Sequence, residues 1–312
     1  MEERALAPTP ADAALPHLGI AADPRVMAPR LAPLLDGHGN LDITILKHTP
    51  GKRCVVAYRF ENGARGIGKM LRKQRAARHA AALAALQRAL VGTTRTPRLL
   101  GCFDDLGLVV QEWVPGERLP EYADLAGRGA LVERLGAALA ALHTSAVAIE
   151  RQADLAAHLR RTCGGGPAAW SDLSSATRRR GIALQTAMLA REAVLARTLR
   201  PCHGDFSPRQ IFVHPSRVSF VDVDGLCLGD PSLDVASFRV GLQAHVEDGG
   251  AALADRFLAA YHAAAGDAVA GLDVYEAFHW LRRAVVLWRK RPVDWESQLE
   301  RCLERCSARL VM

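Results

Sequence analysis

From Cys202 the chain reads Cys-His-Gly-Asp-Phe-Ser-Pro-Arg-Gln-Ile-Phe-Val-His, passes a short polar break, and returns as Val-Ser-Phe-Val-Asp-Val-Asp up to Asp224. Two short apolar runs around a tight reversal predict a hairpin. One carboxylate, Asp205, sits on the turn before it, the amide Gln210 opens its first strand, and a second carboxylate, Asp222, ends the return. Strands of this length are expected to bring Asp205, Gln210 and Asp222 to one end of the hairpin. Oxygen ligands converging there suit a hard cation such as Mg2+. Phosphoryl transfer to a hydroxyl uses that set: a carboxylate that orients the acceptor and takes its proton, and oxygen ligands that hold metal on the phosphates. The plainer reading, in which Asp205 caps a turn and Asp222 ends a surface strand, leaves their paired spacing unexplained.

The surrounding pattern divides the chain. Residues 1–39 are rich in Ala and Pro (Pro8, Pro10, Pro16, Pro29, Pro33) and predict a loose lead-in with one short helix. Residues 40–113 predict three strands, near 41–46, 54–60 and 66–71, then a helix near 72–90 and two more strands. Val114-Pro115-Gly116 breaks that pattern and marks a boundary. Residues 114–312 are mainly helical, with Leu131, Leu135, Leu139 and Leu142 on one stripe and Gly164-Gly165-Gly166-Pro167 as a break between helices.

Bulk properties exclude several classes. No apolar run reaches the roughly 20 residues that span a bilayer, and Met1-Glu2-Glu3-Arg4 lacks the order of a secretory signal. A cytoplasmic location without membrane contact is the expectation. Seven cysteines without paired CxxC spacing suit reduced thiols, and Cys302 and Cys306, one helical turn apart, read as buried helix positions. The net charge of +7 fits an anionic partner. A nucleotide satisfies it, and no motif with interleaved aromatics suggests nucleic acid.

Further segments carry a resemblance. Gly229-Asp230-Pro231-Ser232-Leu233-Asp234-Val235-Ala236 follows the hairpin, Leu139-Ala140-Ala141-Leu142-His143 ends a helix, and Val109 to Gly116 forms a strand and break. With His203-Gly204-Asp205 and Asp222-Val223-Asp224, these resemble the aminoglycoside phosphotransferase family across roughly residues 40–300. The resemblance implies an α+β, two-lobed, protein-kinase-like fold: a small antiparallel-sheet lobe with one helix, and a larger, mainly helical lobe. It implies Asp205 as catalytic base, and Asp222 with Gln210, in the usual asparagine position, as metal ligands. It places Lys69 on the nucleotide phosphates, with Lys52 and Lys73 also in reach, and makes the turn at Thr49 the phosphate-covering loop. The hinge Gln111, Glu112 and Val114 would meet the adenine of ATP, or the base of GTP. His203 and Asp234 would be structural.

One departure stands out: no carboxylate occurs between Glu61 and Asp104, so the helix glutamate that normally pairs with the lysine is missing. Gln74, His79 or Gln87 would have to hold Lys69 instead. The basic residues from Arg65 to Arg98 read as a solvated face. Two functions follow as expectations: an ATP-dependent kinase of a small-molecule hydroxyl, or a nucleotide- or partner-binding pseudokinase without turnover. The stretch from His279 to Glu296, with Arg282, Arg283, Arg289, Lys290 and Arg291, fits a neutral or anionic acceptor better than a polycation. Trp280, Trp288 and Trp295 are candidates for stacking on a sugar, with core packing as the alternative. No motif encodes the oligomeric state.

Overall fold

The computed structural model describes residues 11–119, 121–163, 172–196 and 198–310. The start at Met1, Pro8, Pro10 and the Gly164–Pro167 break lie outside them. Helices α1 (Leu18–Ala21) and α2 (Pro24–Leu35) precede strands β1 (Leu41–Thr49), β2 (Arg53–Phe60) and β3 (Arg65–Leu71). Next come α3 (Lys73–Ala89), β4 (Thr94–Arg95), β5 (Leu99–Phe103), β6 (Leu108–Glu112) and β7 (Glu117–Arg118). Helices α4 (Gly129–His143), α5 (Leu155–Cys163) and α6 (Ser175–Glu192) lead to the short strands β8 (Arg200–Cys202), β9 (Ile211–His214), β10 (Arg217–Phe220) and β11 (Cys227–Gly229). Helices α7 (Ser232–His245), α8 (Gly250–Ala265), α9 (Leu272–Lys290) and α10 (Trp295–Ala308) follow. The fold is α+β, as the sequence predicts.

Two compact units divide the chain. The first takes the chain through Glu117 together with Phe212–Asp224, and the second takes Arg118–Ile211 and everything from Gly225 onward. In the first, an antiparallel sheet runs in the order β1-β2-β3-β6-β5. Side chains alternate across it, so Cys54, Val56, Tyr58, Met70, Leu108 and Val110 share one face. That face packs on Leu18, Met27 and Leu31 from α1 and α2. From residue 11 the lead-in therefore carries two helices that join the core, where the sequence predicts a looser segment with one short helix. Pro24 opens α2 at its first turn, Asp23 caps it by accepting from Arg25 N, and the helix accommodates Pro29 and Pro33 within it. Helix α3 buries Ala76, His79, Ala80, Leu83 and Leu86, a stripe at helical spacing. The return segment adds β10 beside β4 in parallel, Val218 opposite Thr94.

The second unit is mainly helical. A buried core of this unit joins Leu155 and Leu159 of α5, Leu184 and Met188 of α6, and Phe278, Trp280 and Leu281 of α9, with Cys302 and Cys306 of α10. Trp280 is buried there, and Trp288 and Trp295 pack against the same core. Trp288 Nε1 also donates to Asp172 Oδ1 at 2.9 Å. Packing thus accounts for all three tryptophans considered above for sugar stacking. The described cysteines are all free thiols, and among the described residues no helix is long and apolar enough to cross a membrane.

Helices α4 and α8 approach each other at Gly136, where a Cβ would stand 2.4 Å from the Phe257 carbonyl oxygen. Backbone cannot yield as a flexible side chain would. Gly136→Ala is expected to lower stability by about 1–3 kcal/mol through overpacking, despite the better helix propensity of alanine. Thermal denaturation checks this, and an unchanged or raised Tm would show that the helices part freely.

Candidate functional site

In the first unit, sheet register decides which side chains share the face opposite α1 and α2. Lys69 on β3 stands opposite Val55 on β2 and Val109 on β6. Arg53 and Gln111 lie two residues along those strands, so they are its diagonal neighbours on the same face. Lys69 is only 4% exposed. Its Nζ donates to Asp222 Oδ1 and to Asp224 Oδ1, both at 2.7 Å. Arg53 Nη1 donates to Asp222 Oδ1 at 2.9 Å and to Asp224 Oδ2 at 3.1 Å. Lys52 and Lys73, the alternative lysines, are exposed.

Helix α3 closes this group with a histidine. His79 Nδ1 lies 2.9 Å from Asp224 Oδ1, an ion-pair distance off the line of a good hydrogen bond. Its Nε2 lies 3.3 Å from Gln111 Oε1. None of Gln74, His79 and Gln87 holds Lys69 directly: Gln74 is exposed, and Gln87 accepts from Leu99 N. The lysine's partners come from the return segment instead. Burial pushes the Asp224 carboxyl up, but His79 and Lys69 outweigh it and hold the group well below the usual carboxylate range. Asp222 adopts a left-handed backbone, φ 61°, which Asp tolerates better than most residues. The 3-10 turn Val223–Gly225 follows, and both carboxylates of the Asp-Val-Asp run reach one ammonium.

The other nucleotide candidates have distinct surroundings. Thr49 ends β1 opposite Arg53. In the turn after it, Asp12 accepts from Gly51 N at 2.9 Å and faces His48 Nε2 at 2.9 Å. One amide of the predicted phosphate-covering turn is thereby occupied. Gln111 is buried with its side chain on His79. Glu112 N donates to Arg98 O, and its carboxylate accepts from Arg98 N. Val114 is buried, and no hydrogen bond among the described residues occupies its backbone.

In the second unit the loop after β8 is set by backbone crowding and one buried carboxylate. Gly204 has φ 78°, and a Cβ there would stand 2.3 Å from Gly225 O. Asp234, in the first turn of α7, accepts from His203 N at 2.5 Å and Gly204 N at 2.9 Å. His143 Nε2 lies 3.2 Å from the same carboxylate, and Nδ1 lies 2.8 Å from the Tyr261 hydroxyl. Burial raises the Asp234 pKa, but the His143 bond and charge with the Gly204 N–H bring it below the usual value. His143, Cys202 and Asp234 offer ligand atoms within 4.8 Å of one another. The Cys202 thiol, however, donates to the Arg200 and Asp230 carbonyls, so the cluster reads as a brace for the loop.

That brace presents Asp205, half exposed, whose Oδ1 accepts from Arg282 Nη2 at 2.9 Å. Gln210 lies on the 3-10 turn Pro208–Gln210, with no side-chain hydrogen bond among the described residues. The three predicted oxygen donors thus divide between the units: Asp222 belongs to the first, and Asp205 and Gln210 to the second. Sequence reasoning missed Arg53, Asp224 as a partner of Lys69, the indirect role of His79, and Arg282 on Asp205. Strand register could have found Arg53. The arginine needed the path of α9, which periodicity does not give.

A family model described as the phosphotransferase enzyme family matches residues 57–278. No curated protein matches the chain. Solved structures with a similar fold include a choline/ethanolamine kinase family protein from Mesorhizobium loti, 18% identical, with TM-score 0.64 over 91% of this chain and 94% of that one. An amicoumacin kinase in complex with AMP-PNP and Ca2+ is 15% identical, with TM-score 0.64 over 92% and 94%. A macrolide 2'-phosphotransferase from Brachybacterium faecium is 18% identical, with TM-score 0.56 over 88% and 98%.

Two outcomes are expected from this geometry. His79→Leu removes a buried partner of Asp224 and is expected to cost about 1.5–3 kcal/mol of stability, with His79→Gln losing less; chemical denaturation measures both. Separately, burial first, then Arg161, pushes His158 down to about 4, and burial with Arg282 pushes His279 down to about 3. The unfolded chain therefore binds protons that the folded one refuses. Stability is full above the ordinary histidine range and falls as pH drops from about 6.5 towards 4. His158→Gln is expected to flatten that loss in melts run from neutral to acid pH.

Proposed function

The chain belongs to the phosphotransferase enzyme family, and on that premise we propose that it moves the γ-phosphoryl group of ATP to a hydroxyl of a small molecule. The observation that carries this reading is the pairing of buried Lys69 with Asp222 and Asp224. A lysine so placed is a cation held ready for phosphate, and the carboxylates beside it are hard oxygen donors. In the first unit, Asp222 keeps a carboxylate oxygen suited to a divalent ion. Lys69 and Arg53 both occupy Oδ1 of Asp222, and its other oxygen has no partner among the described residues. The Gln210 amide is likewise uncommitted.

Asp222 would be a ligand of Mg2+, with the Gln210 amide as the further oxygen donor that the family pattern supplies, and the ion would neutralise charge on the phosphates. Lys69, with Arg53 beside it, bears on the phosphates. Asp205 accepts the proton of the acceptor hydroxyl as the oxygen forms its bond to the γ-phosphorus, the bond to the bridging oxygen breaks, and ADP departs. Val114, buried with an unoccupied backbone, is the hinge residue best suited to the adenine; Gln111 and Glu112 support it through His79 and Arg98. Thr49 borders the phosphates from the end of β1. Nothing in these contacts selects ATP over GTP. The missing helix glutamate favours a nucleotide-holding module without turnover, and His79 on Asp224 offsets that loss.

Asp205→Asn is expected to cut kcat for ADP release by about 10²–10⁴, with nucleotide affinity nearly unchanged. Asp222→Ala is expected to abolish the Mg2+-dependent rise in Tm that ATP produces by mass action. Full activity in Asp205→Asn would remove the base assignment. A Mg2+-ATP shift without ADP release in the wild type would favour the non-catalytic reading.

A further inference from the structure

Around Asp205 the second unit brings arginines from two helices, α5 and α9. Arg282 extends from α9 to Asp205 and has no other hydrogen-bond partner among the described residues. On α5, Arg161 Nη2 lies 2.6 Å from His158 Nδ1 and 3.2 Å from Nε2. The two helices meet where the His158 ring stands edge-on to Phe278, centroids 6.0 Å apart. Arg161 and Arg282 each follow that contact by about one helical turn. Burial first, then Arg151 and Arg282, lowers the Arg161 pKa, so these cations lie within each other's field.

Their imidazole neighbour does not offset them. His158 is neutral at pH 7 and serves Arg161 only as an acceptor. Arg283, next on α9, likewise meets His245 at 2.6 Å, and burial with Arg283 lowers that histidine. Two acids of this unit are engaged elsewhere: Asp234 braces the loop, and Glu121 accepts from Arg209. A polycation brought to Asp205 would meet arginines of its own sign.

We propose that the acceptor is a hydroxy compound bearing a carboxylate or phosphate, and that Arg282 and Arg161 grip this anion so that the hydroxyl lies against Asp205. The inference rests on the phosphotransfer reading for the hydroxyl and on these arginines for the anion. A guanidinium offers a fork of N–H donors matched to either anion. The Arg282–Asp205 pair is 40% and 50% exposed on its two sides, the class of ion pair that contributes little. A bound anion therefore draws Arg282 off the carboxylate at little cost, leaving Asp205 Oδ1 open to the hydroxyl proton.

Isothermal titration calorimetry on nucleotide-free protein tests the anion site without requiring turnover. The probes are glycerate, gluconate and 3-phosphoglycerate, set against glycerol, glucose and the polycation kanamycin. At least one anion is expected to bind, with a loss of about tenfold or more in Arg282→Gln and partial recovery in Arg282→Lys. The neutral and cationic probes are expected not to bind. The proposal is overturned if none of the anions binds, if kanamycin binds in their place, or if anion binding survives Arg282→Gln. Anion binding of the expected pattern together with an inactive wild type would keep the anion site and remove the phosphotransfer reading instead.

Discussion

An ammonium taken out of water costs several kcal/mol unless carboxylates meet it. Lys69 is nearly inaccessible in the middle of a sheet, and no acid occurs from Arg65 to Phe103 to meet it. Its own strand, the helix after it and the two strands beyond are barred from compensating it. The acids arrive from far along the chain, in the segment Phe212–Asp224 that belongs to the same unit. The parallel pairing of β10 with β4 and the left-handed turn at Asp222 deliver them. Arg53 then adds a second cation to the same two carboxylates, and His79 approaches the outer one. Two acids shared among two cations, with an imidazole beside them, form a set in which removing either acid or either cation leaves a charge in deficit.

The second unit meets the opposite requirement. Asp205 is half exposed, and its loop rather than its side chain is fixed. Gly204 and Gly225 press backbone on backbone, and Asp234 spends its carboxylate on consecutive amides of the loop. His143 and Tyr261 extend that anchor into α4 and α8, the pair of helices whose close contact depends on Gly136. The rigidity of the loop is therefore inherited from helix packing, while the side chain it carries makes only an exposed ion pair.

Much of this was legible in the sequence because period and punctuation carried it. Alternation placed the strands, Asn62-Gly63 placed a hairpin turn, and the leucine stripe placed α4. What stayed hidden depended on distance along the chain. Residues 11–39 read as loose because prolines break helices, yet α2 contains Pro29 and Pro33 and buries Met27 and Leu31. The tertiary gain of covering the sheet outweighed local propensity there. The missing helix glutamate was visible as an absence. Its consequence was not, because the replacement couples His79 to the lysine through Asp224, and no linear spacing encodes a relay through a third residue.

The two carboxylates singled out first in the sequence end in contrasting electrostatic settings. Asp222 is one-fifth exposed and held by two cations at once, so its charge is committed to a fixed frame. Asp205 is half exposed and meets a single arginine that water screens. Interactions of the first kind are strong because the surroundings are poor in water, and those of the second kind are weak because they are not. The first setting fixes a carboxylate in one position, and the second leaves a carboxylate free to exchange its partner. The same net charge of +7 therefore has two local meanings: around Lys69 the cations are matched by acids the fold brings from a distance, and at Asp205 a single arginine meets a carboxylate that water screens.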